Sequence, residues 1–180
     1  AGLDVKLLDP SGKEVKRDSE AVGEFCLRGP WITGRYYNPE EPSTQFSEDG
    51  YWKSGDAGTM DGHAYLKITD RVKDVIKSGG EWISSVDMEN AITAHPAVFE
   101  ATVVGVTHPK WEERPLALVV LNEEFKGKVE KQEILDHLSK TFAKWQLPDE
   151  VLFVDEFDKT SVGKSNKKVT REKYKDIYMK

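Results

Sequence analysis

Apolar and polar positions alternate through the first part of the chain. Leu3, Val5 and Leu7 alternate with Asp4 and Lys6, the period of a half-buried strand. Phe25 and Leu27 alternate with Glu24, Cys26 and Arg28 in a second strand, closed by Gly29-Pro30. Asp9-Pro10-Ser11-Gly12 and Asp49-Gly50 mark turns. Residues 57–60 and 63–68 flank Asp61-Gly62, which predicts a hairpin with a type I′ turn. The aromatic-rich stretch 31–37 is broken at Asn38-Pro39, and Pro42-Ser43-Thr44 predicts the start of a short helix. Residues 1–68 therefore read as antiparallel β.

From Asp74 the period changes. Ser84-Ser85-Val86-Asp87 predicts a capping box, with Ser84 as N-cap and Asp87 reaching back. The helix would turn Val86, Ala91 and Ile92 inward and end near His95-Pro96, which makes His95 a helix-end residue. Residues 98–106 and 115–121 read as strands, with His108-Pro109 in the polar loop between them. Residues 130–142 form a second helix with Ile134, Leu135, Leu138 and Phe142 on one stripe; His137 falls off it, toward solvent. A connector at 145–148 and a short strand at 151–154 follow. Alternating strands and helices predict a small α+β unit, a compact sheet with packed helices.

Composition narrows the class. Charged residues are 32% and hydrophobic ones 38% of 180 residues, ordinary for a globular protein. A net charge of −6 argues against a dedicated nucleic-acid binder. The single cysteine, Cys26, excludes an intramolecular disulfide framework and fits a reducing compartment, so a cytoplasmic location is expected. Nothing in the chain has the length and apolarity of a membrane span or the pattern of a signal peptide. The chain opens on Ala1 inside a strand pattern, and a piece of a longer protein is expected.

The candidate chemistry lies in three places. Residues 69–89 read T-D-R-V-K-D-V-I-K-S-G-G-E-W-I-S-S-V-D-M-E. Charges at Asp70, Arg71, Lys73, Asp74 and Lys77 alternate with apolar Val72, Val75 and Ile76, and a Gly79-Gly80 pair and Trp82 follow. Such a segment suits a polar hairpin on a domain rim as well as a ligand site. Upstream, Trp52-Lys53-Ser54-Gly55-Asp56 places a carboxylate after a glycine, where Asp56 can serve as a plain turn residue or accept two hydrogen bonds from a vicinal diol. Downstream, residues 158–166 read D-K-T-S-V-G-K-S-N. Gly163-Lys164-Ser165 is no phosphate-binding P-loop, because Asp158 stands where that motif needs glycine. Residues 159–180 hold eight Lys or Arg against two acids, so Lys164 also reads as a solvated lysine of a basic tail.

The order of these residues resembles the acyl-adenylate-forming (AMP-binding) enzymes, closest to the medium- and long-chain fatty acyl-CoA ligases. Residues 70–89 follow that family's D-R-x-[KD]-D-x-I-K-x-x-G-x-x-I-x-x-x-[DE]-x-E pattern, Trp52 to Asp56 its W-x-[TS]-G-D, and Lys159-Thr160, Gly163 and Lys164 its P-K-T-x-x-G-K. Two positions depart from it: Asp158 replaces the usual Pro and Ser165 the usual apolar residue.

The resemblance implies the C-terminal part of a ligase that joins fatty acid and CoA through acyl-AMP, releasing AMP and diphosphate. Residues 1–69 would be the β subdomain that ends the large adenylation domain, 70–73 a hinge with Lys73 at its pivot, and 74–180 the C-terminal lid domain. Asp56 would bind the ribose hydroxyls of ATP or AMP, and Arg71 the ribose or α-phosphate. Lys164 would act in adenylation, and Lys77 on the face that serves thioester formation. Gly79 and Gly80 would pass the pantetheine arm of CoA, with Glu81 and Trp82 near the acyl-adenylate; for Trp82 a core-anchor role stands beside this. The partners implied are fatty acid, ATP, CoA and the missing N-terminal adenylation domain. Ligands for Mg2+ are expected in that missing part, and the fragment by itself is expected to be inactive. Two other readings stand: a non-catalytic lid-like interaction module, and another carboxylate-CoA ligase acting on an aryl or short-chain acid.

Overall fold

A computed structural model describes residues 2–34, 45–161 and 163–179 of the chain. The expected helix start at Pro42-Ser43-Thr44 and the break at Asn38-Pro39 lie outside the described residues. The chain divides into two compact units, residues 1–73 and 74–180.

The first unit is an antiparallel sheet of β1 (Asp4–Leu8), β2 (Gly23–Arg28), β3 (Trp52–Met60) and β4 (Leu66–Arg71), in that spatial order. Its two faces bury different side chains, as the period of two requires. Leu7, Phe25 and Met60 pack on one side, and Leu8, Cys26 and Tyr51 on the other. Burial, assisted by Glu24, pushes the Cys26 thiol up to about 11.

The hairpin predicted at Asp61-Gly62 exists with a wider loop. Met60 pairs with Leu66, so residues 61–65 form the connection, and Ala64 rather than Gly62 takes the left-handed conformation (φ 65°). Asp61 is the reason. Its Oδ1 accepts the backbone N–H groups of His63 and Tyr65, at 2.8 and 2.9 Å, and the side chain folds the loop around itself.

The second unit is built on a sheet of order β6-β5-β8-β7: β5 (Ile76–Ser78), β6 (Glu81–Ile83), β7 (Val98–His108) and β8 (Glu112–Leu121). β9 (Glu150–Phe153) runs parallel to β8, past the end of β5. Helices α1 (Ser85–Thr93) and α2 (Lys131–Leu138) cover one face and bury Met88, Ile92, Ile134 and Leu138 against Ile76, Val103 and Val119. Each such side chain contributes about 1.5–3 kcal/mol. The other face carries Val104, Val106, Leu116 and Leu118 under Phe157, Tyr174, Ile177 and Tyr178. The lysine-rich end of the chain is thus a packed element, with helix α3 (Lys167–Tyr174) inside it.

Three expectations change here. Ser84 does cap α1, its side chain accepting the N–H of Asp87, but Met88 turns inward and Val86 is exposed. A start at Ser85 places Ser85, Met88 and Ile92 on one stripe, and Val86 falls beside it. His137 is half-buried instead of solvated, because α2 packs against α1: its Nε2 lies 3.0 Å from the Ala91 carbonyl, and its ring meets His95 edge-on at 5.1 Å. His108 ends β7 rather than sitting in a loop.

Candidate functional site

In the first unit, Asp56 and Arg71 are direct partners across β3 and β4. A bulge places the acid. Between Glu24↔Ala57 and Cys26↔Lys53 the register of β3 slips, and Gly55 sits in the slip at φ 74°, a conformation that glycine adopts without steric cost. The Gly55 N–H is held by Glu24 Oε1 at 3.1 Å, and the Asp56 N–H by Ser54 Oγ at 3.0 Å. Asp56 then meets Arg71 in an ion pair, Nε to Oδ1 at 2.9 Å. The neighbouring Asp70 is buried and accepts the Arg71 N–H at 2.8 Å. Lys73, the last residue of this unit, is exposed.

In the second unit, Lys77, Gly79, Gly80, Glu81 and Trp82 share one hairpin. Ile76↔Ile83, Lys77↔Trp82 and Ser78↔Glu81 pair, and the turn is the two glycines, with φ 62° and 88°. That is the two-residue turn with both central residues left-handed. The hairpin is fastened to β8: Glu113 Oε2 accepts the Lys77 N–H at 2.9 Å, and the Trp111 carbonyl accepts the Gly79 N–H at 3.0 Å. Among the described residues the Lys77 ammonium has no ion pair. Trp82 is half-buried, and its indole N–H is shielded from water with no acceptor among the described residues.

A cavity of about 330 Å³ opens beside this turn, lined by Ser78, Gly79, Glu81, Trp111, Arg114, Trp145 and Asp149. Arg114 is among the lining residues and is fully occupied. It makes a fork on Asp149 at 2.8 and 2.9 Å and donates to Ser78 Oγ and to the Trp145 and Leu147 carbonyls. With its charge spent, the cavity is walled chiefly by the two indoles, which suits a flat or aliphatic group more than a phosphate. The sequence reading missed Trp111 and Trp145. The available signal was a large aromatic in each of two otherwise polar connectors.

Lys164 stands elsewhere. It is exposed and follows a tight turn: Gly163 N–H to Thr160 O at 2.9 Å, Thr160 N–H to Lys164 O at 2.7 Å, and Lys164 N–H to Thr160 Oγ1 at 3.2 Å. Both flanks of the turn are tied to β7. Lys159 Nζ reaches Glu100 Oε2 at 3.0 Å, and the Ser165 hydroxyl lies 3.2 Å from that of Thr102. β7 flanks β8 on one side and β5 on the other. The structure therefore gathers Lys77 to Trp82 on one side of β8 and sets Lys164 beside the opposite edge strand, β7. Among the described residues no cluster of three or more His, Cys, Asp or Glu is arranged to hold a metal, and no helix is long and apolar enough to cross a membrane.

Residues 87–164 match the AMP-binding enzyme C-terminal domain. The chain is 50% identical over 176 residues to a long-chain-fatty-acid–CoA ligase of Thermus thermophilus, covering 97% of this chain and 32% of that one. It is 41% identical over 175 residues to a 3-methylmercaptopropionyl-CoA ligase of Ruegeria lacuscaerulensis, with coverages of 97% and 32%. Among solved structures it is similar to ATP-bound MatB from Rhodopseudomonas palustris, at 34% identity and a TM-score of 0.81, covering 99% of this chain and 35% of that one. The chain spans about a third of the length of the curated relatives it matches.

Proposed function

We propose that this chain, whose residues 87–164 belong to the AMP-binding enzyme C-terminal domain family, is the C-terminal part of an ATP-dependent fatty acyl-CoA ligase. Two half-reactions run in sequence. A carboxylate attacks the α-phosphate of ATP, giving acyl-AMP and diphosphate; the CoA thiol then displaces AMP. Asp56 and Arg71 hold the ribose and α-phosphate. Lys164 brings a cation between two approaching anions and stabilises the charge of transfer. The lid, residues 74–180, then turns about Lys73 and exchanges Lys164 for the Lys77 hairpin. Gly79 and Gly80 lead the CoA arm past backbone, and the cavity between Trp111 and Trp145 receives part of it. Glu81 and Trp82 lie near the acyl-adenylate when the lid closes. Mg2+ is held by the N-terminal part.

One observation carries this reading. Two chemically equipped elements lie on opposite sides of β8 in a single small unit, so one rotation exchanges one for the other. Conformational exchange of this kind lets one site serve two steps. The Thermus relative favours a long-chain acid, and the Ruegeria relative keeps a short-chain acid as the second reading.

The test uses the full-length protein with acids of graded chain length and aryl acids. Diphosphate release that depends on a fatty acid, with CoA required for turnover, is expected. Release driven only by short or aryl acids would move the assignment to the second reading. The 180-residue chain alone is expected to show no fatty-acid-dependent diphosphate exchange.

A further inference from the structure

Glu89 closes the charged motif and has no role in the reading above. It lies on α1 facing the free edge of β7. Its Oε1 accepts three hydrogen bonds: the Val103 N–H at 2.7 Å, the Thr102 hydroxyl at 3.1 Å and the Lys167 ammonium at 2.8 Å. Lys167 also donates to Ser85 Oγ at 2.7 Å. The Glu89 and Lys167 side chains are only 18% and 14% exposed, so removing one partner costs more than it would in a surface ion pair. An edge strand otherwise presents an open backbone donor here, and the carboxylate covers it.

The network reaches Lys164 from its C-terminal side. Thr102 hydrogen-bonds to Ser165, the next residue after Lys164, and Lys167 opens α3, two residues further on. One turn along α3, Arg171 grips Asp74 at 2.9 and 3.0 Å, which holds the helix itself. The Lys164 turn is closed by its own backbone, so the direction of the lysine follows from where these flanks are fixed.

We propose that Glu89 is a positioning residue for Lys164, acting through Lys167, Thr102 and Ser165. The inference rests on the role given to Lys164 under Proposed function. Glu89 touches no reacting atom; it fixes the C-terminal flank of the turn against β7. Its loss leaves the Lys77 hairpin on the far side of β8 untouched, so the two half-reactions respond differently.

The experiment is made in the full-length enzyme with dodecanoate. Glu89→Ala, Glu89→Gln, Ser165→Ala and Lys164→Ala are compared in two assays: dodecanoate-dependent ATP–diphosphate exchange, and transfer of the acyl group from supplied dodecanoyl-adenylate to CoA. For Glu89→Ala, exchange falls about tenfold or more at saturating ATP while the KM for ATP stays within about twofold, a loss confined to the transition state. Acyl transfer stays within about twofold of the parent. Glu89→Gln keeps an acceptor for Val103 and Thr102 and falls between. Ser165→Ala removes only the last link, leaves the Glu89–Lys167 pair in place, and lowers exchange by about threefold. Equal loss of both half-reactions in Glu89→Gln and Ser165→Ala, or no loss in either, overturns the proposal. Lys164→Ala separates this from the underlying reading: if exchange survives without Lys164, the assignment of Lys164 itself is wrong.

Discussion

Arg71 Nε lies 2.9 Å from Asp56 Oδ1, across a register in which the two residues face one another. A ribose diol bound to Asp56 must share that carboxylate with the guanidinium or displace it. Asp56→Asn removes the charge from both interactions. Nucleotide affinity of the full-length protein is expected to fall about tenfold, equivalent to about 1.4 kcal/mol. Arg71→Lys keeps the charge and loses the planar fork, and is expected to fall less. Titration with a fluorescent ATP analogue measures both; unchanged affinity in Asp56→Asn removes Asp56 from the nucleotide site.

Gly79 is constrained twice. It is left-handed at φ 62°, and a Cβ there would meet Trp111 Cε3 at 3.2 Å. Gly80 is left-handed too, but a Cβ would enter open space. Gly80→Ala therefore carries only backbone strain, about 1–2 kcal/mol. Gly79→Ala adds pressure on the indole that walls the cavity. The KM for CoA is expected to rise more for Gly79→Ala than for Gly80→Ala, with adenylation little changed in both. Equal KM values for the two variants would detach the cavity from CoA.

Much of this was readable along the chain. The strand alternation of Val5, Leu7, Phe25 and Leu27 is local, and so is the cap at Ser84; both survive in the structure because local preference and tertiary packing agree. The spacing of residues 70–89 and 159–164 singled out the candidate segments. What escaped depended on distant partners. Whether Val86 or Met88 turns inward is decided by where the sheet lies, not by the helix alone. His137 looked solvated because Ala91 and His95, its neighbours, are far away in sequence. The 159–180 segment looked like a basic tail because Glu89 and Asp74, which neutralise Lys167 and Arg171, lie far upstream.

Arg114 joins three segments that are distant in sequence, and its side chain is only 9% exposed. Arg114→Met preserves much of the volume. It strands the Ser78 hydroxyl and the Trp145 and Leu147 carbonyls, while Asp149, 38% exposed, recovers water. The expected cost is roughly 3 kcal/mol, below the upper range for a broken buried pair because one partner rehydrates. Urea unfolding of the chain checks it: the midpoint should drop with the slope unchanged. A loss near zero would mean that the connector at Trp145 is held by packing alone.

His95 makes the stability of the second unit depend on pH. Burial holds its pKa below the ordinary histidine value of 6.5, with the nearby His137 adding to the effect. Its Nδ1 accepts the Ala97 N–H at 3.3 Å, which requires that nitrogen to be unprotonated. The sign follows from linkage. Between the depressed folded pKa and 6.5, the unfolded chain binds more protons than the folded one, so stability falls as pH falls through that window. About a unit above 6.5 the residue is neutral in both states and the slope vanishes. Glu133 opposes the shift and Lys140 reinforces it, so Glu133→Gln should deepen the dependence. His95→Asn offers an acceptor to the Ala97 N–H without a titrating group. Urea midpoints measured from pH 7.5 down to about pH 5 should decline more steeply for the parent chain than for His95→Asn. Parallel declines would assign the pH dependence to other groups and leave His95 as a helix-end residue without a titrating role.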